Sequence, residues 1–441
     1  MSVIKPSAAE HIDSVSINSV LIHTQHTGPV DIAGVVTDLD VFEHLDKPYV
    51  TALLGFVDIE DIVGVLNISG GEKITIVLKS NMEDAIAIEK VFYIDKISAS
   101  NKVADNEEFF AMHLIEDVGF KSNLININKC YSGKSSTIIE KIADEYFNAK
   151  VNKPIDKDLQ DIKVIIPNLT PIDAMCWIKN KTTTVEGYPF YLYSTLIDQN
   201  FNFVDLQSLL KTPPMNPRSG QEYTHYESQI STMSPESRRR VIMAMQSRDS
   251  YDMYDLINKG ILGAEHRYID TIKKIDNKFV YDIEPEVVAT LEEDGIVEKG
   301  RLPIYDKYRY DWAKNPISSR KITRVGGANV FEGDVKSISE QDKIAYYTLN
   351  ERSRAISRLL TTDPVTFVVH GLDFLYGDYN TTIGNKLRVK VLRNTKTGNR
   401  TDLFDKKKSG DYLIFACKHS FTPREYTITF SGVKLSNGDI K

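Results

Sequence analysis

No stretch of the sequence approaches the ~20 consecutive apolar residues of a membrane-spanning helix, so no membrane insertion is expected. Cysteine is scarce. Cys130, Cys176 and Cys417 are the only 3 in 441 residues. They stand far apart with no C-x-x-C spacing, which indicates neither a zinc site nor a disulfide framework, and three reduced, buried thiols are expected. Positive charge is not in excess either, since 54 Lys and Arg against 61 Asp and Glu give a net charge of -7. General nucleic-acid binding runs on clustered cations that neutralise phosphates, and this balance argues against it without excluding a local basic surface. The segment from Met1 to Asp13 has no apolar centre long enough for a signal peptide. A soluble chain made in a cytosol is expected.

Catalytic motifs are missing too. Gly133-Lys134-Ser135 matches the tail of a phosphate-binding loop, but the required first glycine would fall at Asn128, and a polar turn before a helix explains the same residues. The 9 histidines show no H-E-x-x-H or other ligand spacing. Asp58, Glu60 and Asp61 are close in sequence, but carboxylates that near on a turn are expected to face solvent. No G-x-S-x-G elbow occurs. We therefore assign no catalytic, cofactor-binding or metal-ligating residue, expect no cofactor, and do not expect an enzyme. Arg238, Arg239 and Arg240 are expected to form a solvated face. Tyr305, Tyr308, Tyr310 and Trp312, interleaved with Lys307 and Arg309, suit either a protein interface or packing within their own segment.

What the chain does have is alternation. Leu387, Val389 and Val391 alternate with Arg388 and Lys390; Tyr412 to Phe421 is a second extended run, and Tyr426, Ile428 and Phe430 alternate with Thr427 and Thr429. Period two marks half-buried strands, and Gly-, Asn-, Asp- and Lys-rich connections make this an antiparallel series. The same series occurs earlier. Gly71-Glu72-Lys73 leads into Ile74, Ile76 and Leu78 as Gly384-Asn385-Lys386 leads into Leu387, Val389 and Val391; Val91 to Ile97 parallels Tyr412 to His419, and Glu108 to Leu114 parallels Glu425 to Phe430. One barrel or sandwich is expected to occur twice.

A chain of 441 residues suggests about two to four domains, and 41% hydrophobic with 26% charged residues is a globular composition. We expect a mainly β fold with α+β insertions. Residues 1–118 make a first β-barrel and 119–212 a small α+β domain. In the latter, Ser135 and Ser136 cap one helix, and Thr170, Pro171 and Asp173 open another. Thr212 to Ser219, with Pro213, Pro214 and Pro217, reads as a linker. Residues 213–283 begin a second barrel, including a helix from Tyr251 stopped by Gly260 and a hairpin over Ile261 to Ile283. An inserted domain, 284–362, ends in a helix from Ser339 to Leu360, and 363–441, from the strand Val365 to Leu375, completes the second barrel.

The layout resembles the central hub subunit of the baseplate in contractile-tailed bacteriophages, a family related to the hub part of VgrG spike proteins. The residues that carry the resemblance are Val35-Val36-Thr37-Asp38-Leu39-Asp40-Val41-Phe42-Glu43, Gly71-Glu72-Lys73-Ile74, Ile166-Pro167-Asn168-Leu169-Thr170-Pro171, Pro189 to Tyr193, Gly260 to Ala264, and Gly410 to Ile414 with His419. The resemblance implies two similar β-barrel tube domains, the second split by an insertion, in a homotrimer whose six barrels form a ring. That ring would join a six-fold tail tube protein to a three-fold central spike protein, touch baseplate wedge proteins, and let DNA pass through its lumen in a virion tail baseplate assembled in the host cytoplasm. The alternatives are a phage-associated cell-wall or polysaccharide hydrolase, which would need a paired acid and base, and the hub of a type VI secretion or bacteriocin-like particle.

Overall fold

Where alternation is strict, strands form. A computed structural model of the chain describes residues 15–24, 28–80, 87–104, 107–153, 161–215, 222–225, 239–247, 253–270, 275–297, 321–325, 330–332, 340–376, 382–393, 404–405, 407–423 and 425–435. The first seven strands are β1 (Val15–His23), β2 (Val30–Asp31), β3 (Val36–His44), β4 (Thr51–Asp58), β5 (Lys73–Ser80), β6 (Ile88–Ala104) and β7 (Glu107–Glu116), with a short helix α1 (Ile62–Val65) between β4 and β5. They pair antiparallel in the order β2-β1-β5-β6-β7-β4-β3. Val20, Ile22, Leu54, Phe56, Ile74 and Phe92 bury in one core on one face of the sheet, as the period-two pattern requires.

The α+β segment follows: α2 (Asp117–Ser122), β8 (Cys130–Lys134), α3 (Ser135–Phe147), β9 (Val151–Asn152), β10 (Asp161–Ile165), α4 (Pro171–Lys179), β11 (Phe190–Tyr193), β12 (Phe201–Asp205) and α5 (Leu206–Lys211). Thr170 caps α4 as expected, its hydroxyl accepting from the Asp173 N–H at 3.2 Å. Ser135 and Ser136 do not cap α3. They are its first helical residues, both buried, because β8 runs straight into the helix after Gly133 at φ +129°.

The last part contains β13 (Tyr223–His225), β14 (Ala244–Gln246), α6 (Met253–Asn258), β15 (Gly263–Asp270), β16 (Ile275–Asp282), a π-helical turn (Glu284–Val288) running into α7 (Ala289–Glu293), β17 (Lys321–Val325), β18 (Val330–Glu332), α8 (Glu340–Leu360), β19 (Val365–His370), α9 (Leu372–Tyr376), β20 (Lys386–Val391), β21 (Gly410–Phe421) and β22 (Tyr426–Val433). Its large-sheet strands follow the order β13-β20-β21-β22-β19-β14. Leaving out β2, the first half reads β1-β5-β6-β7-β4-β3, so the same chain order gives the same spatial order in both halves, with α1 and α9 in matching connections. One pairing differs in sense, since β13 meets β20 in parallel whereas β1 meets β5 antiparallel.

The match extends to single bonds. Gly71 N–H donates to Ile94 O at 2.7 Å and Ile94 N–H to Glu72 O at 3.0 Å, while Gly384 N–H donates to Ile414 O at 3.0 Å and Ile414 N–H to Asn385 O at 2.9 Å. A bulge follows at once in each, between Ile94 and Lys96 and between Ile414 and Ala416. The sheet is mainly antiparallel, with ends at β2, β13 and β14 among the described residues, and Thr224 of β13 bonds Arg240 and Ile242 just before β14.

Several expectations change. The Val365 to Leu375 run is strand only to His370; Gly371 N–H then donates to Tyr426 O and α9 begins. The hairpin expected over 261–283 forms as β15–β16, but it pairs with β17 in a sheet of its own. What interrupts the second series therefore starts directly after β14, at the place where the short β3–β4 turn stands in the first. The insertion is not a separate module either: Leu256, Tyr281, Val287, Leu291, Ile356 and Leu359 share one core with Phe367, Leu387 and Phe430. Residues 216–219 of the linker, Arg238, and the Tyr305 to Trp312 cluster lie outside the described residues.

Candidate assembly interface

A strand pairing holds the two series together. β3 of the first pairs antiparallel with β21 of the second, from Ala416 against His44 to Phe421 against Leu39, so the halves become one 13-stranded sheet among the described residues. One edge of β21 is shared between two neighbours: β20 covers Gly410 to Leu413, and β3 takes over from Ala416. Leu45 N–H, donating to Phe415 O at 2.8 Å, closes the gap between them.

Side chains lock this seam. Ser420 Oγ donates to Asp40 Oδ1 at 2.6 Å, and Lys418 Nζ meets Asp40 Oδ2 at 3.1 Å. Deeper in, Glu43, Cys417 and His419 are buried together; the Cys417 thiol donates to Glu43 Oε2 at 3.2 Å, and His419 Nε2 lies 3.3 Å from the sulfur and 3.6 Å from that oxygen. The other imidazole nitrogen, Nδ1, shares a 2.7 Å hydrogen bond with the Tyr426 hydroxyl. Glu43 also accepts from Leu196 N–H, which ties in the α+β segment. Burial pushes the Glu43 carboxyl up, but His419 and the hydrogen bonds together outweigh it and hold the group below the usual carboxylate range. Burial and the adjacent Glu43 push the Cys417 thiol up.

Among the described residues these three are the group that could ligate a metal ion. A metal needs the thiolate, and this site favours the thiol, whose proton already serves Glu43. Motif spacing in the sequence does not reveal the trio, because Glu43 and Cys417 lie 374 residues apart. Only Cys417 fits the expectation of buried thiols; Cys130 is exposed and Cys176 half-buried.

Two further ties dock the α+β segment onto the first sheet. Lys90, buried, pairs with Glu116 at 2.7 Å and donates to Thr195 O and Asp198 O, and Lys179 on α4 pairs with Asp46 beyond β3. The residues singled out by sequence do not converge on these. Asp58 is buried rather than solvated, its carboxylate accepting from the Glu60, Ile62 and Val63 N–H groups and so capping α1. Gly133 and Lys134 belong to the β8–β10 ladder. Arg240 is half-buried and lies 4.0 Å from Asp373. A cleft of about 460 Å³ lies between α4 and α8, and among the described residues the one carboxylate in its lining is Asp46, already paired with Lys179.

No protein-family model matches the chain, and no curated protein matches it by sequence. Its architecture, however, is found in solved structures. A tail protein from Neisseria meningitidis MC58 superposes with TM-score 0.52 at 11% identity, over 96% of this chain and 98% of that one. The 43 kDa tail protein of prophage MuSo2 from Shewanella oneidensis does so with TM-score 0.52 at 12% identity, over 96% and 100%. The chain has a phage tail-protein fold. A weaker likeness, TM-score 0.45 at 10% identity over 96% of this chain and 77% of that one, is to the E. coli c3393 protein, a type VI secretion component. In this chain the β3–β21 seam joins the two strand series into one sheet, and Glu43, Cys417 and His419 are its buried polar core.

Proposed function

We propose that the protein is a structural, non-enzymatic subunit of a phage tail baseplate: a hub in which three copies form a ring between a six-fold tail tube and a three-fold spike. The observation that carries this reading is the repeated strand order, joined edge to edge by β3 and β21. Three chains with two like sheets each offer six near-equivalent units to a tube on one side, while the α+β segment and the insertion occur once per chain and leave three-fold symmetry on the other. Closed rings of this kind use heterologous contacts. In the ring each half closes as a barrel-like tube domain, the domains being the first sheet, the α+β segment, and a second sheet interrupted after β14. Tube and spike proteins are the axial partners, wedge proteins the outer ones, and DNA crosses the lumen in transit; a net charge of -7 favours passage over retention, since cations outnumbered by carboxylates neutralise few phosphates and release few counterions. Among the described residues the cleft between α4 and α8 offers Asp46 alone, not the carboxylate pair that the hydrolase alternative needs.

The test is the copy number. Electron microscopy of the particle is expected to place three copies at the junction of tube and spike; six copies, or a location in the tube wall or sheath, overturns the hub reading.

A further inference from the structure

The polar core of the β3–β21 seam brings three ligating atoms to one point. Cys417 and His419 stand two residues apart on β21 and so share a face, and Glu43 on β3 is directly opposite Cys417 in the ladder. Cys417 Sγ lies 3.2 Å from Glu43 Oε2 and 3.3 Å from His419 Nε2, and the last two atoms are 3.6 Å apart. A tetrahedral zinc ion, with bonds of about 2.3 Å to sulfur and about 2.0–2.2 Å to nitrogen and oxygen, spaces its ligand atoms roughly 3.3–3.6 Å apart. The triangle already has nearly that size.

We propose that Glu43, Cys417 and His419 bind a zinc ion that staples the first strand series to the second across this seam. The surroundings hold each ligand for the task. Leu196 N–H donates to Glu43 Oε1 and leaves Oε2 facing Cys417 and His419. The Tyr426 hydroxyl, 2.7 Å from Nδ1, can accept a proton from it and so turn the Nε2 lone pair toward the sulfur. A partner on the far nitrogen is the usual support of a metal-bound histidine. The Thr382 hydroxyl is buried close enough to help hold the Glu43 carboxyl down, yet it makes no hydrogen bond of normal geometry among the described residues. It supplies the fourth donor that three protein ligands need to complete a tetrahedron.

Without a metal, the Cys417 proton serves only the sulfur-to-oxygen edge of the triangle, and burial keeps it on the thiol. Zinc reverses that preference, because a coordinating thiol is deprotonated outright, and one ion serves all three edges. Each ligand atom gives the metal a lone pair. The thiol proton, with any on Nε2, leaves to solvent, and no electron is transferred. Zn²⁺, a thiolate, a carboxylate and a neutral imidazole sum to zero charge, which favours a fully buried site. Glu43, Cys417 and His419 are 3%, 5% and 0% exposed, so no substrate reaches the ion. The site is structural, filled as the two halves close over it, and it stands apart from the hub reading.

Cys130→Ser and Cys176→Ser together leave Cys417 as the single cysteine of the full chain. This protein and the wild type are produced in medium containing Zn²⁺ or Co²⁺ and purified with EDTA. About one equivalent of metal per chain is expected to stay bound, and the cobalt form is expected to show a thiolate-to-cobalt charge-transfer band. Free Zn²⁺ at a hundred times its Kd is expected to raise the folded-to-unfolded ratio in urea about 100-fold. Cys417→Ser must lose the band; where that variant does not fold, the single-cysteine protein decides alone, because Cys417 is then the only thiolate able to give it. Folded protein that carries no metal, or that binds cobalt without the thiolate band, overturns the site and leaves the hub reading standing.

Discussion

Glu43 is the residue on which the seam depends most. Its carboxylate serves the Cys417 thiol, the Leu196 N–H and His419 at once, all out of water. Glu43→Ala leaves the Cys417 thiol and the Leu196 N–H buried without their acceptor, and each buried donor left unsatisfied costs about 1–3 kcal/mol; a urea midpoint lowered with unchanged slope is the expected result. The acid behaviour follows from the sign of the shift. A carboxyl held lower in the folded chain than its unfolded value of about 4.3 contributes stability that is present above that value and disappears as pH falls through the depressed folded one. Unfolding midpoints between pH 6 and pH 3 should therefore fall more steeply for the wild type than for Glu43→Gln; equal slopes would remove Glu43 from the account.

At the scale of elements, the corner from β19 into α9 shows how a turn residue controls two layers. Gly371 donates its N–H to Tyr426 O, and a Cβ added there would meet the Tyr426 ring. That ring is stacked on Phe421 at 4.4 Å between centroids and holds His419 through its hydroxyl. Gly371→Ala must displace the ring, and overpacking of this kind costs about 1–3 kcal/mol. The expected readout is a lowered midpoint together with a shifted His419 imidazole resonance; loss of stability alone would place the strain elsewhere. The helix that follows was not legible in Val365 to Leu375, because a buried strand and a short buried helix show the same apolar run, and only Gly371 marks the break.

At the scale of the molecule, the insertion and the second sheet stand or fall together. Replacing residues 284–340 by a short linker costs little in loop closure, but it removes Val287, Leu291 and Val297 from the shared core, at roughly 1.5–3 kcal/mol for each buried side chain. The shortened chain is expected to lose hydrogen-exchange protection in β19, β20 and β22 while β5 and β7, whose core is separate, keep theirs. Protection retained in both halves would show that the insertion is dispensable to the fold.

The sequence by itself determined the strictly alternating strands, such as β5, β20 and β22, the Thr170 cap and the Gly260 stop. Each of these is set by side-chain alternation, a capping oxygen or a glycine within a few residues of where it acts. Even the matching Gly71-Glu72-Lys73 and Gly384-Asn385-Lys386 entries were visible. The tertiary structure alone decided which strands became neighbours across the halves, that Asp58 turns inward, that Glu43, Cys417 and His419 meet, and which edges stay open. The physical reason is that backbone hydrogen bonds carry no residue identity. A strand's polar groups must be paired wherever they are buried, but which strand pairs with them depends on how distant parts of the chain close over a common core.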